Sequence, residues 1–383
     1  MSESVELCQK LIRFPSVEGN VEDVMLFLKE YLEKIGFSAQ LIMFDDGQGK
    51  KVPNLYASYG DGCPHILFAG HADVVTAGEN PAWKHPPFEG KIENSMLYGR
   101  GVADMKGGIA CFLAACKDFI AQGKFLGKIS VIISGDEENP LVEGTNKVLE
   151  LLHSKGERFD FALVGEPSNA KTMGDEIKIG RRGDMVVRIT SYGQQGHTAY
   201  ADSLSNPIYN LVNLLYKLQN DKLDGGNDFF ASSLLHIATI DVGNSASNVV
   251  PEVAQATIDI RYNSLHTCAD IKSWVCEHIN NTKGSFKADY ECIGEAFLSP
   301  VCANIEKLKE IVAKHTLKEP KYSTSGGTSD ARFVKNYCSV VEYGLTNGTI
   351  HKVEECESVQ NIEILYNVYK DFLGEFFAKK RAV

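Results

Sequence analysis

Apolar side chains recur at helical spacing in Val21, Val24, Phe27, Leu28, Tyr31, Leu32 and Ile35, and Gly36 supplies a stop, which predicts an amphipathic helix over residues 21–35. Short continuous apolar runs follow at about 65–70, 128–134 and 160–165, with helical patterns near 105–122 and 144–154 between them. Strands that are apolar on both faces and alternate with helices imply a sheet covered on both sides. After about residue 180 the period shortens to two in Met185-Val186-Val187-Arg188-Ile189-Thr190. A helix at 206–219, strands near 234–242 and 253–261, a helix at 269–281 and a strand at 286–293 come next. That order, β-α-β-β-α-β, is the ferredoxin-like unit, complete in about 110 residues. The first rhythm then resumes at 304–315, 338–342 and 360–378. A smaller domain, 180–293, is therefore read as inserted into a larger one made of 1–179 and 294–383.

Composition changes this picture little but excludes several classes. A chain of 383 residues exceeds the usual single core, in keeping with two domains. A formal charge of −11, without a basic stretch long enough to anchor phosphates, argues against nucleic acid or another polyanion as partner. The basic Lys379-Lys380-Arg381 reads as a solvated helix end. The N-terminal stretch lacks a positive segment followed by an apolar one, and no apolar run approaches ~18 residues, so neither a secretory signal nor a membrane span is expected. Ten cysteines without a CxxC pair or regular spacing read as buried free thiols in a reducing, cytoplasmic setting.

The chemistry sits at predicted strand ends. His71-Ala72-Asp73 closes the run Ile66–Gly70, Glu137 and Glu138 follow strand 128–134, and Glu166 follows strand 160–165. In open α/β sheets ligands collect beyond the carboxyl ends of strands. Asp104 lies in a glycine-rich stretch just before a helix, and His351 lies in Gly348-Thr349-Ile350-His351-Lys352-Val353. Imidazole suits Zn²⁺, carboxylate oxygens complete its shell, and one carboxylate can bridge two ions, so convergence of this set would make a two-metal hydrolase. Asp73 could accept the second ring N–H of His71 and so fix its tautomer. Adjacent Glu137 and Glu138 diverge, which leaves one for metal and one for protons. Each feature also has a plainer reading: a packed His-x-Asp pair, a solvated acidic loop, a glycine turn.

Longer strings carry a resemblance. They are Phe-Ala-Gly-His-Ala-Asp-Val-Val (68–75), Trp83 with Pro86-Pro87-Phe88, Leu-Tyr-Gly-Arg-Gly-Val-Ala-Asp-Met-Lys-Gly-Gly (97–108), Gly-Asp-Glu-Glu (135–138) and Val-Gly-Glu-Pro-Ser (164–168). Gly180-Arg181-Arg182-Gly183, Gly196-His197-Thr198-Ala199-Tyr200, Ser325-Gly326-Gly327-Thr328-Ser329-Asp330 and Thr349–Glu355 continue the series. In order and almost end to end, the chain resembles the dinuclear zinc aminoacylase and carboxypeptidase family.

The resemblance implies an α/β fold: a mixed-sheet catalytic domain covered by helices on both faces, with an inserted ferredoxin-like α+β dimerisation domain. It implies two zinc ions per subunit, with cobalt able to replace zinc at one. Asp104 would bridge them, His71 and Glu166 would complete one site, and Glu138 and His351 the other. Glu137 would be the general acid/base for amide hydrolysis by metal-activated water, and the Asp104-Met105 peptide would be cis. His197, in the inserted domain, would stabilise the oxyanion, reaching the site by domain closure or from the partner of a homodimer. The string 325–330 with Arg332-Phe333 marks a branch whose small-molecule substrates carry several carboxylates. Arg261, taken to follow strand 253–260, Asn248, Gly327, Thr328 and Arg181 are the candidates to meet those charges. One departure is Ala201-Asp202-Ser203 after Tyr200, where the family commonly has proline.

Overall fold

The computed structural model describes residues 1–17, 19–45, 49–78, 83–123, 125–138, 144–202 and 205–378. Within these the chain divides into two compact units, Met1–Ile179 with Ser299–Ser323 and Ser329–Val383, and Gly180–Leu298 with Thr324–Thr328.

The larger unit is built on an eight-stranded mixed sheet. Its order is Ser38–Asp45, Lys51–Asp61, Gly127–Ser134, His65–His71, Phe161–Val164, Val340–Glu342, Glu176–Lys178 and Lys321–Ser323. Every residue of His65–His71 is buried. Because successive strand residues point to opposite faces, that strand must be covered on both. Helix Gly107–Ala121 packs with Glu3–Ile12 and Val359–Phe376, while Glu22–Lys34 and Gly144–Ser154 pack on the Lys51–Asp61 side of the sheet. Gly107–Ala121 is apolar nearly all round, as its position between sheet and outer helices demands. Phe68 stacks on Phe112 at 4.1 Å between ring centroids, with Tyr369 edge-on to both. Each such buried ring contributes on the order of 2 kcal/mol by loss of apolar surface from water.

The smaller unit has a four-stranded antiparallel sheet in the order Leu234–Asp241, Val253–Tyr262, Gly183–Tyr192 and Ser285–Gly294. With helices Pro207–Asn220 and Cys268–Asn280 it forms the expected ferredoxin-like unit. Met185, Val187 and Ile189 alternate into a core shared with Leu211, Leu214 and Ile271. Both helices start on explicit signals: Asn206 caps the first with Pro207 at its first position, and Thr267 with Asp270 forms a capping box on the second.

Several expectations are corrected. The return to the larger unit falls between Leu298 and Ser299 rather than at 293/294, because Phe297 and Leu298 pair with Arg181 and Gly180. Residues 324–328 also group with the smaller unit. The pattern missed helix Glu3–Ile12 and the antiparallel strands Ser38–Asp45 and Lys51–Asp61. The cysteines are not all free buried thiols: Cys268 and Cys292 form a disulfide from the start of a helix to the neighbouring strand, and Cys63 is exposed. The pattern of thiols therefore no longer argues for a compartment. No described helix is long and apolar enough to cross a membrane. Lys379-Lys380-Arg381 and Ser203 lie outside the described residues.

Candidate metal centre

Three neighbouring parallel strands set up the site. His71 pairs with Ser134, and Ala69 with Val164, so strands His65–His71, Gly127–Ser134 and Phe161–Val164 end nearly level. His71 closes the first, Glu137 and Glu138 leave the second, and Glu166 leaves the third. Asp104 arrives from a wide five-residue turn, Val102–Lys106, ahead of helix Gly107–Ala121. The helix start behind that turn abuts the strand ends closely: a Cβ on Gly108 would lie 2.4 Å from the Gly165 carbonyl oxygen. The Asp104–Met105 peptide is cis, as the resemblance implies.

The six side chains converge. His71 Nε2 lies 3.2 Å from Asp104 Oδ1, 3.6 Å from Glu166 Oε1 and 3.9 Å from Glu137 Oε2. His351 Nε2 lies 3.0 Å from Glu138 Oε1 and 3.4 Å from Asp104 Oδ2. The two oxygens of Asp104 are thus divided between two imidazoles. His71, Asp104 and Glu138 each offer an atom within 4.8 Å of the others, and so do His71, Glu137 and Glu166. His351 is not at a strand end: it sits in the turn after Gly348, with φ 59° and half its side chain exposed.

Asp73 acts differently from the expectation. His71 Nδ1 meets the Asp73 main-chain carbonyl at 3.0 Å and the carboxylate only at 3.6 Å. The Asp73 carboxylate instead accepts from the N–H groups of Glu137 (3.2 Å) and Glu138 (2.9 Å). The carbonyl orients the ring, leaving Nε2 for an ion, and the carboxylate fixes the loop carrying both glutamates.

Electrostatics support a cation here. Burial alone would lower the His71 pKa, but the hydrogen bond to Asp104 and the nearby carboxylates of Asp73, Glu137 and Glu166 outweigh it and raise it well above the usual value. Bonds to Asp104 and Glu138 raise His351 to about 10. The Asp104 carboxyl is held far below the usual range; its burial opposes this, but His351 and His71 prevail. Glu137 is pushed well up by burial, reinforced by Asp330, Glu138 and Asp104 against the pull of His71. Four carboxylates and two imidazoles this close leave charge that protons satisfy only in part, and the donor set of oxygens and ring nitrogens fits divalent ions.

The remaining candidates lie in the smaller unit. His197 is exposed and pairs with Val249, next to exposed Asn248, whose carbonyl accepts from Thr198 N–H at 3.0 Å. Ala199 N–H donates to His197 Nδ1 at 3.1 Å, so the neutral ring carries its proton on Nε2. Arg181 donates to the Gly327 carbonyl at 3.1 Å, which brings those two together; Thr328 follows directly. Arg261 is corrected: it lies within strand Val253–Tyr262, its guanidinium forked onto Asp259 (2.8 and 3.0 Å) and 2.9 Å from Asp184. Sequence reading missed Asp330, which receives the Thr145 hydroxyl at 2.5 Å and is raised to about 6 by burial. It also missed Glu355. Both stand in the quoted strings, but carboxylates with partners distant in sequence give no local signal.

A covered mixed sheet whose strand ends deliver one imidazole and several carboxylates, completed by Asp104 and His351 from neighbouring turns, defines a metal-dependent hydrolase. The model of peptidase family M20/M25/M40 matches residues 67–375, and the chain belongs to that family. A relative named succinyl-diaminopimelate desuccinylase, from Rhodospirillum centenum, is 43% identical over 98% of this chain and 97% of its own length. Among solved structures, an M20 family metallo-carboxypeptidase from Sulfolobus solfataricus superposes with TM-score 0.81 at 19% identity, covering 98% of this chain and 99% of that one. A dinuclear metal-binding M20 peptidase from Bacillus subtilis gives TM-score 0.67 at 14% identity, covering 98% and 97%.

Proposed function

We propose that this enzyme hydrolyses the amide of N-succinyl-L,L-2,6-diaminopimelate to succinate and L,L-diaminopimelate, within lysine and peptidoglycan precursor synthesis in the cytoplasm. The observation that carries the chemistry is the division of Asp104 between His71 and His351; near end-to-end similarity to desuccinylases carries the substrate. His71, Asp104 and Glu166 would hold one zinc ion, and Asp104, Glu138 and His351 a second; cobalt could substitute at one of the two. Bound there, the ions supply Lewis acidity and make water a nucleophile at neutral pH.

The chain's own residues do the rest. Glu137, partly buried and raised in pKa, takes a proton from the attacking water at its carboxylate and returns it to the leaving nitrogen. Asp73 keeps Glu137 and Glu138 in register through their N–H groups. His197, protonated on Nε2, is the donor for the oxyanion, supplied from the partner protomer of a homodimer formed through the inserted domain; removal of such a donor costs about 10²–10³ in kcat. Arg181, Asn248, Gly327 and Thr328 would meet the substrate carboxylates, and Arg261 could do so only by giving up its fork on Asp259. The deciding experiment compares kcat/KM for succinyl-diaminopimelate and acetylornithine. We expect the former to be preferred; preference for acetylornithine would place the chain with another deacylase of the family.

A further inference from the structure

Glu355 is fully buried on the larger unit, four residues after His351. Its Oε2 accepts from Gly101 N–H at 2.9 Å and from Arg100 Nη1 at 2.8 Å. Its Oε1 accepts from Ala103 N–H at 3.0 Å and Asp104 N–H at 3.4 Å, and its main-chain carbonyl takes Gly99 N–H at 2.9 Å. One side chain thus satisfies donors along most of the turn that presents Asp104. Arg100 Nη1 also donates to the Lys352 carbonyl at 3.1 Å, inside the His351 turn. Neighbouring Glu354 adds an anchor, accepting His85 N–H at 3.0 Å with its other oxygen 2.6 Å from His85 Nδ1.

From this we infer that Glu355 is a positioning residue: it ties the turn bearing His351 to the backbone bearing Asp104 and so sets the geometry of the second ion site. The inference rests on the two-ion reading above. His71 and Glu166 stand at strand ends fixed by the sheet, and need no such tie. His351 stands in a half-exposed turn, and its distance from Asp104 is set by what clamps that turn. A charged acceptor shared by three N–H groups and a guanidinium is a strong and directional clamp. Residues behind ligands typically change metal affinity by about 10–100-fold when replaced.

The test is metal titration of the metal-free full chain with Zn²⁺, with amide hydrogen exchange over residues 99–104. Wild type should bind two ions. Glu355→Gln keeps the shape but offers N–H groups to donors; it should keep the first ion within about threefold and weaken the second by about 10–100-fold. It should thereby approach the single-ion behaviour of His351→Ala, and exchange at Gly101, Ala103 and Asp104 should quicken before any metal is added. If Glu355→Gln does not unfold cooperatively, both readings move to Glu355→Asp, one methylene too short to span the turns, with the same expectation. Equal weakening of both ions, or two ions bound as in wild type, overturns the inference. Fewer than two ions in the wild type overturns the two-ion reading and the inference with it.

Discussion

At the residue scale the site is a set of competing charges, and each can be removed singly. Glu137→Ala should lower kcat/KM by about 10³-fold or more, because general acid/base transfer contributes about 10²–10⁴, while metal content measured by atomic absorption stays at the wild-type value. Full activity in that variant would dismiss Glu137 as the proton carrier. Asp330 gives a pH signature. Its folded pKa of about 6 lies above the 3.8 of the unfolded chain, so its contribution is fully present below 3.8 and is lost as pH rises through 6. In metal-free protein the wild type should lose up to about 3 kcal/mol over that window relative to Asp330→Asn. Thermal unfolding from pH 3.5 to 7 in chelator measures this, and parallel Tm profiles for the two proteins would rule it out. His71, Asp104 and Glu166 could be named from sequence because each lies in a short string beside a strand or helix start. That the Asp73 carbonyl lies nearer His71 than its carboxylate could not be read, since main-chain carbonyls leave no mark in the side-chain sequence.

At the element scale the site depends on how closely a helix start meets two strand ends. Gly108 is needed for space: any Cβ there meets the Gly165 carbonyl at 2.4 Å, and backbone cannot yield as a flexible side chain would. Gly108→Ala should destabilise the protein by about 1–3 kcal/mol, as overpacking does, and lower Tm. An unchanged Tm would show that the turn Val102–Lys106 has slack. Periodicity found the central strands and most helices to within a few residues because their apolar faces are local facts. It did not find Ser38–Asp45, whose side chains alternate between half-buried and exposed, nor Lys51–Asp61, interrupted by Pro53 and Asn54. Those two strands pair antiparallel with each other, as Lys51–Asp61 does with Gly127–Ser134, and only pairing across the chain reveals them.

At the scale of the whole molecule the inserted unit carries His197, the proposed oxyanion donor. Helix Pro207–Asn220 exposes Tyr209, Val212 and Tyr216 on one face, and strand Leu234–Asp241, at the edge of its sheet, exposes Leu234 and Ile240. Apolar residues beside an unpaired strand edge suit a second copy of the chain. If the homodimer proposed above forms through this face, Val212→Glu with Tyr216→Glu should convert it to a monomer by analytical ultracentrifugation. If His197 acts across that interface, the monomer should lose activity about as severely as His197→Ala while keeping its metal. A fully active monomer would remove the partner from the mechanism.

The sequence by itself determined most helices and the central strands, the insertion, and the identity of the converging side chains, because periodicity and short motifs are carried by neighbours along the chain. Tertiary structure decided which oxygen of Asp104 faces which imidazole, that Asp73 works through its carbonyl, that Arg261 is already paired, and that Glu355 links two distant turns. The Asp104 and Glu355 contacts join groups dozens to hundreds of residues apart, at distances set by packing of the whole sheet and its helices; Asp73 and Asp259 stand two residues from their partners, and there the backbone conformation decides which atoms meet.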